Sequence, residues 1–230
     1  METVDVATIS DTLQELARDL DIAAVKIGML GSAKVVKAVA EFLAGRRLPN
    51  VVLDPIFKAS SGADMVDLAG SKLIAERLLP LATVVTPNLD EASVLSGLPV
   101  SNPDEMKAAA RKLHQMGAPN VVVTGGHLDK AIDLLSFTNA QGSVEQELFK
   151  AERRRSKSTH GTGCAFSSAM ACHLALGRGM PEAVLLAKAY VTAAIANAQP
   201  LGRGIGPVHH LYRMHEAPRR SVTPDPEPVH

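Results

Sequence analysis

The stretch "NVVLDP" at residues 50–55 decides how the chain folds. Three apolar β-branched or leucine residues stand between asparagine and an Asp-Pro stop, too short for a helix and without the polar alternation of a half-wet strand. Such a run reads as a strand buried on both faces. Two more follow, "TVVTPN" at 83–88 and "NVVVTGGH" at 120–127, and an earlier one, "AAVKIGML" at 23–30, ends as a strand at Gly28. Between them the period changes to that of helices. Leu13, Leu16, Ala17 and Leu20 share one face, as do Val35, Val36, Val39, Ala40 and Leu43 behind a capping Ser32. Further helices are predicted near 68–79 and around Met106, Ala109, Ala110 and Leu113. Valine strands alternating with amphipathic helices predict an α/β fold with a mostly parallel sheet.

After residue 130 the pattern differs. "AIDLLSF" and "SVEQELFKAE" flank "TNAQG", a hairpin or antiparallel edge, and two helices follow near 163–177 and 181–198, the second with Pro181 in its first turn. Residues 216–230 hold four prolines and no apolar period, which predicts a disordered tail.

The chain has 230 residues, enough for one large domain, and its 24 basic and 24 acidic side chains cancel. No global field attracts nucleic acid or an anionic membrane, so an anionic ligand must be held locally. No apolar stretch reaches membrane-spanning length, and the charged first twenty residues do not suit a secretory signal. Cys164 and Cys172, eight residues apart on one expected helix, are too distant for a disulfide. Free thiols suit a reducing, cytoplasmic setting.

Open α/β sheets bind ligands at the carboxyl ends of their strands. Here those ends carry Asp54-Pro55, Thr86-Pro87-Asn88 and Thr124-Gly125-Gly126-His127. "NLDE" at 88–91 places Asn88 and Glu91 one helical turn apart, either as oxygen ligands for magnesium or as a helix cap with acidic residues favoured by the dipole. The most specific stretch is "STHGTGC" at 158–164: glycines that turn amides inward, followed by a helix start, form an anion cradle. Cys164, in that first turn, is expected to have a lowered thiol pKa and to serve as base or nucleophile; the alternative is a small buried hydrophobe, which is the reading for Cys172. His160 reads as a loop residue or a partner-bonded side chain. The basic residues Lys150, Arg153, Arg154, Arg155 and Lys157 form a solvated face or draw in a polyphosphate. Neither a GxxxxGK[ST] loop nor a dinucleotide GxGxxG pattern occurs.

"KIGML", "VVLDP", "TPNLDEA", "GGH", "STHGTGC" and "GIGPVHH" stand in the order and approximate spacing of the hydroxymethylpyrimidine and phosphomethylpyrimidine kinases of thiamine biosynthesis, and the chain resembles that family from residue 5 to 214. The resemblance implies a ribokinase-like three-layer α/β/α domain over 1–214, a tail over 215–230, and a chain that starts after the family's Gly-rich first segment, amino-terminally truncated. It further implies ATP and Mg2+ as cofactors, a pyrimidine substrate and a homodimer. By motif, Cys164 would take the hydroxyl proton and Gly161, Thr162 and Gly163 would hold the transferring phosphoryl. Asp54 and Glu91 would lie at the metal with Asn88, Met29 and Ile56 would pack on the pyrimidine, and Thr162, Thr124 and Lys188 would lie at the nucleotide. Thr124 stands where members often carry lysine. A pyridoxal kinase of the same superfamily and a noncatalytic nucleotide- or pyrimidine-binding relative are the two other readings.

Overall fold

The structure, a computed structural model, describes residues 4–59, 62–126, 131–139, 141–151, 156, 158–201 and 203–216. Helix α1 (Val6–Asp19) starts earlier than the leucine period suggests, because the Asp5 carboxylate accepts the Ala7 and Thr8 amides at 3.0 and 3.3 Å. Strand β1 (Val25–Ile27) and helix α2 (Ala33–Ala44) follow, the latter capped by Ser32 and burying Val35, Val36, Ala40 and Leu43. Next come β2 (Val51–Leu53) and α3 (Leu68–Leu73), which continues as a π turn, Ile74–Leu78, and a 3₁₀ turn, Leu79–Leu81. The expected single helix over 68–79 is thus broken in character near Pro80, which lacks an amide to donate.

Strand β3 (Val84–Val85), helices α4 (Leu89–Ser96) and α5 (Pro103–Gln115), and strand β4 (Asn120–Gly125) complete the parallel part. Strands β5 (Ala131–Thr138) and β6 (Val144–Ala151) form the expected hairpin. Helices α6 (Thr162–Ala175) and α7 (Met180–Ala196) close the chain, with Pro181 in the first turn of α7. A 3₁₀ turn, Tyr212–Glu216, reaches into the segment expected to be disordered, and residues 217–230 of that expectation lie outside the described residues.

The six strands lie in chain order, β1 to β6, with the first three pairings parallel and the last two antiparallel. Right-handed crossovers that always step in one direction must leave their helices on one face. Val51, Leu53, Val85, Val121, Val123 and Leu134 accordingly pack with residues of α2, α4 and α5. The alternate residues Val52, Val84, Val122 and Leu135 face the opposite way, onto Phe166, Met170 and Leu174 of α6 and Val184 and Ala187 of α7. Each such side chain contributes roughly 1.5–3 kcal/mol when withdrawn from water. The two faces make a three-layer α/β/α fold.

The parallel strands are shorter than their apolar runs. Hydrogen bonds nevertheless continue past them, from Asp54 N to Ile27 O and from Thr86 N to Leu53 O, each 2.9 Å. The prolines at 55 and 87 then remove the next donors. The β6 edge carries Glu145, Glu147 and Lys150, charges that oppose pairing with another chain. The remaining members of the basic cluster, Arg153, Arg154, Arg155 and Lys157, lie outside the described residues. Cys172 departs from expectation: it is exposed on α6 and not part of the core.

Candidate active site

The site assembles where β2, β3 and β4 end. Asp54 follows β2 and is buried, and three groups converge on its carboxylate. The Lys26 ammonium is 3.2 Å from Oδ2, the Ser167 hydroxyl of α6 donates to Oδ2 at 2.9 Å, and the Cys164 thiol, in the first turn of the same helix, lies within reach of its charge. Lys26 reaches this position because residue 28 has no side chain. A Cβ on Gly28 would lie 2.5 Å from the Lys26 amine. Two of these partners, Lys26 and Ser167, were given no role in the sequence reading; the signal for Lys26 is a cation inside a buried strand two residues before a glycine.

Asn88 and Glu91 follow β3 and bond to each other. The Asn88 side-chain oxygen accepts the Glu91 amide at 2.9 Å, and Glu91 Oε2 accepts the Asn88 amide at 2.8 Å. The motif is therefore a capping box, one of the two readings open from sequence. It also fixes a carboxylate beside Asp54. Burial, with the charges of Asp54 and Asp90 adding to it, pushes Glu91 from 4.5 up to about 7 against the opposing Asn88 amide bond.

A carboxyl raised on folding holds its proton more tightly in the folded state. Its stabilisation is complete below about 4.5 and is lost as pH rises to about 7. Denaturant unfolding at pH 5 and pH 8 should therefore show the unmodified chain losing up to about 3 kcal/mol more than Glu91→Gln, whose side chain cannot ionise. Equal losses in both proteins contradict the placement of Glu91.

The cradle forms at the start of α6. Gly161, the N-cap, has φ 85°, a left-handed conformation that favours glycine, and no side chain caps the helix. The amides of Gly163 and Cys164 have no acceptor among the described residues. A Cβ at Gly161 or Gly163 would meet nothing within 4 Å, so these amides border open space. The preceding loop is pinned by the segment 206–208: His160 N donates to Gly206 O at 3.0 Å and Val208 N to His160 O at 3.3 Å. His160 is thus a loop residue with an exposed side chain.

The expected lowering of the Cys164 pKa is corrected. Although the residue is exposed, burial around the thiol pushes its pKa up, and the charge and hydrogen bond of Asp54 with the charge of Glu91 push the same way. Only Lys26 opposes them. Burial first, and these carboxylates after it, reverse the direction expected from the helix start.

Met29, half exposed, and Ile56, partly buried with Cδ1 3.7 Å from the Gly28 Cβ position, flank this cluster. Thr124 joins Asn88 in a parallel bridge, and its amide donates to Pro87 O at 2.9 Å. Lys188 stands apart from the cradle contacts, paired with Asp133 of β5, which sequence reasoning did not single out. His127 lies outside the described residues.

Among the described residues no group of three or more histidine, cysteine, aspartate or glutamate side chains could hold a metal by itself. Asp54 and Glu91, two carboxylates of which the first adds to the cost of ionising the second, instead fit magnesium shared with substrate phosphates.

The sequence profile of the family described as phosphomethylpyrimidine kinase matches residues 1–209. The thiamine biosynthesis bifunctional protein ThiED of Geobacter sulfurreducens is 45% identical over 90% of this chain, which spans 42% of that protein's length. The hydroxymethylpyrimidine/phosphomethylpyrimidine kinase of Streptomyces coelicolor is 42% identical over 92% of the chain and 77% of its own length. Among solved structures, the ADP complex of Bacillus subtilis pyridoxal kinase superposes with a TM-score of 0.82 at 37% identity, covering 91% of this chain and 77% of the other. A phosphomethylpyrimidine kinase from Clostridium difficile gives 0.73 at 32% identity, covering 84% and 78%.

Proposed function

The chain belongs to the phosphomethylpyrimidine kinase family, and on that premise we propose that it phosphorylates the hydroxymethyl group of 4-amino-5-hydroxymethyl-2-methylpyrimidine with ATP, and then the phosphate of that product. The observation that carries this reading is the meeting of the Cys164 thiol, the buried Asp54 carboxylate and two helix amides without an acceptor among the described residues, at one mouth of the sheet. Phosphoryl transfer needs positioning and charge stabilisation more than covalent chemistry.

In this reading the amides of Gly163 and Cys164, with the turn at Gly161 and Thr162, hold the transferring phosphoryl group. Its bond to the leaving phosphate oxygen breaks as the substrate hydroxyl oxygen bonds to phosphorus. The hydroxyl proton goes to the Cys164 sulfur in its thiolate form. A thiol with a raised pKa is seldom ionised at neutral pH but is a strong base once it is, and a loose transition state asks for the proton late. Asp54 and Glu91, beside Asn88, would hold magnesium, which would supply charge neutralisation at the phosphates. Lys26 pairs with Asp54 and adds a cation next to the acceptor. Met29 and Ile56 pack on the pyrimidine, and Thr162, Thr124 and Lys188 face the nucleotide.

The likeness to Bacillus subtilis pyridoxal kinase favours a second reading, phosphorylation of pyridoxal or pyridoxine. ADP release is the test: we expect turnover with the hydroxymethylpyrimidine, and weak competition by pyridoxal. Preferred turnover of pyridoxal would replace the first reading with the second, and ADP binding without turnover of either would leave a noncatalytic nucleotide-binding protein. We place the working chain in the cytoplasm, where its free thiols at 164 and 172 stay reduced, as a homodimer built from one kinase domain over 1–214 with a tail over 215–230.

A further inference from the structure

Lys188 projects from α7 into the seam between that helix and the sheet, where its side chain is only 11% exposed. Its ammonium lies 2.5 Å from Asp133 Oδ2 and donates to Ala131 O at 3.3 Å. Asp133, also buried, is the one acidic residue of β5, and its other oxygen, Oδ1, accepts the Gly125 amide at 3.0 Å. Gly125 is the last residue of β4. In the antiparallel register Asp133 stands opposite Thr124, two residues from Val122 and Leu135, so both side chains belong to the face that α6 and α7 cover.

One carboxylate therefore holds an ammonium and the terminal amide of a central strand on the edge of the sheet that carries Asp54 and Asn88. An ion pair this enclosed is a poor stabiliser, since desolvating both charges offsets most of their attraction and an apolar pair would fill the seam about as well. What the pair does supply is a cation fixed in place beside the end of β4, with its ordering cost already met before an anion arrives.

We infer that Asp133 is a positioning residue that holds Lys188 and the Gly125 amide in place for the phosphates of the nucleotide. The inference rests on the kinase reading above and adds a residue to it.

Asp133→Asn tests it, because asparagine keeps an oxygen for Gly125 and removes the charge. Equilibrium binding of ADP should weaken about tenfold and the KM for ATP should rise equally, with the KM for the acceptor unchanged. Lys188→Arg should retain most of the ADP affinity. Asp133→Asn/Lys188→Met should bind ADP no more weakly than Lys188→Met alone, because the two residues act as one unit. Unchanged ADP affinity in Asp133→Asn, or losses that multiply in the double variant, overturns the inference. Should Asp133→Asn fail to fold by thermal unfolding, Lys188→Met decides: its chain still fills the seam, and ADP binding equal to that of the unmodified protein overturns the inference. An unmodified chain that binds no ADP removes both readings, whereas one that binds ADP with the predicted variant pattern but phosphorylates no acceptor removes only the kinase reading.

Discussion

Cys164→Ala is expected to lower turnover by a factor of about 10²–10⁴, the usual worth of a positioned proton acceptor, while ADP affinity changes less than about threefold. The split follows from the geometry. Alanine keeps the amides of 163 and 164, and the thiol is assigned to the acceptor and not to ADP; Ser167, the other α6 side chain beside Asp54, already donates its hydroxyl to that carboxylate. Because burial, with the neighbouring carboxylates, holds the thiol pKa up, turnover of the unmodified chain should climb as pH rises above neutrality, and the residual turnover of the alanine variant should lack that climb. Initial rates of ADP release from pH 6.5 to 9, together with ADP titrations of both proteins, check it. Equal turnover in both takes the thiol out of the reaction.

The layers of the fold were legible because parallel strands buried on both faces must be written in near-continuous valine, as "VVL" and "NVVV" are here. Loop chemistry also spoke plainly: a glycine that must adopt φ 85° before a small-residue helix marked the cradle, and Asn-x-x-Glu marked the α4 cap. Groups whose meaning depends on a partner far along the chain were not legible. Lys26 and Asp54 lie 28 positions apart, Asp54 and Ser167 113, and Asp133 and Lys188 55, and no local spacing encodes such meetings. The error over Cys164 has the same origin. Its helix start was visible and argued for a lowered pKa, but burial of the thiol, and the charges of Asp54 and Glu91 that add to it, come from packing with distant parts of the chain. Sequence alone likewise gave no reason to expose Cys172, since small residues suit either face of α6.

Asp54 is the residue on which the proposed site turns, and Asp54→Asn should reduce turnover about a thousandfold or more, because it removes both the carboxylate proposed to hold magnesium and the counter-charge of Lys26. Folding should survive with a loss of about 1–3 kcal/mol: Lys26 is 22% exposed on its side chain and can turn to water, and asparagine can still accept from Ser167. The telling result lies in the thiol. Asp54 is the largest cause, after burial, of the raised Cys164 pKa, so its neutral replacement should make Cys164 more acidic and speed its alkylation by iodoacetamide at pH 7.5. Lys26→Met should also be nearly inactive, yet it removes the one charge that lowers the same pKa, so alkylation should slow. Both rates are measured in a Cys172→Ser background, since Cys172 is an exposed free thiol that would react as well. Two inactive variants whose thiols move in opposite directions are what a proton acceptor poised between Asp54 and Lys26 requires; a shift of both in the same direction would mean that Cys164 does not sit in their combined field.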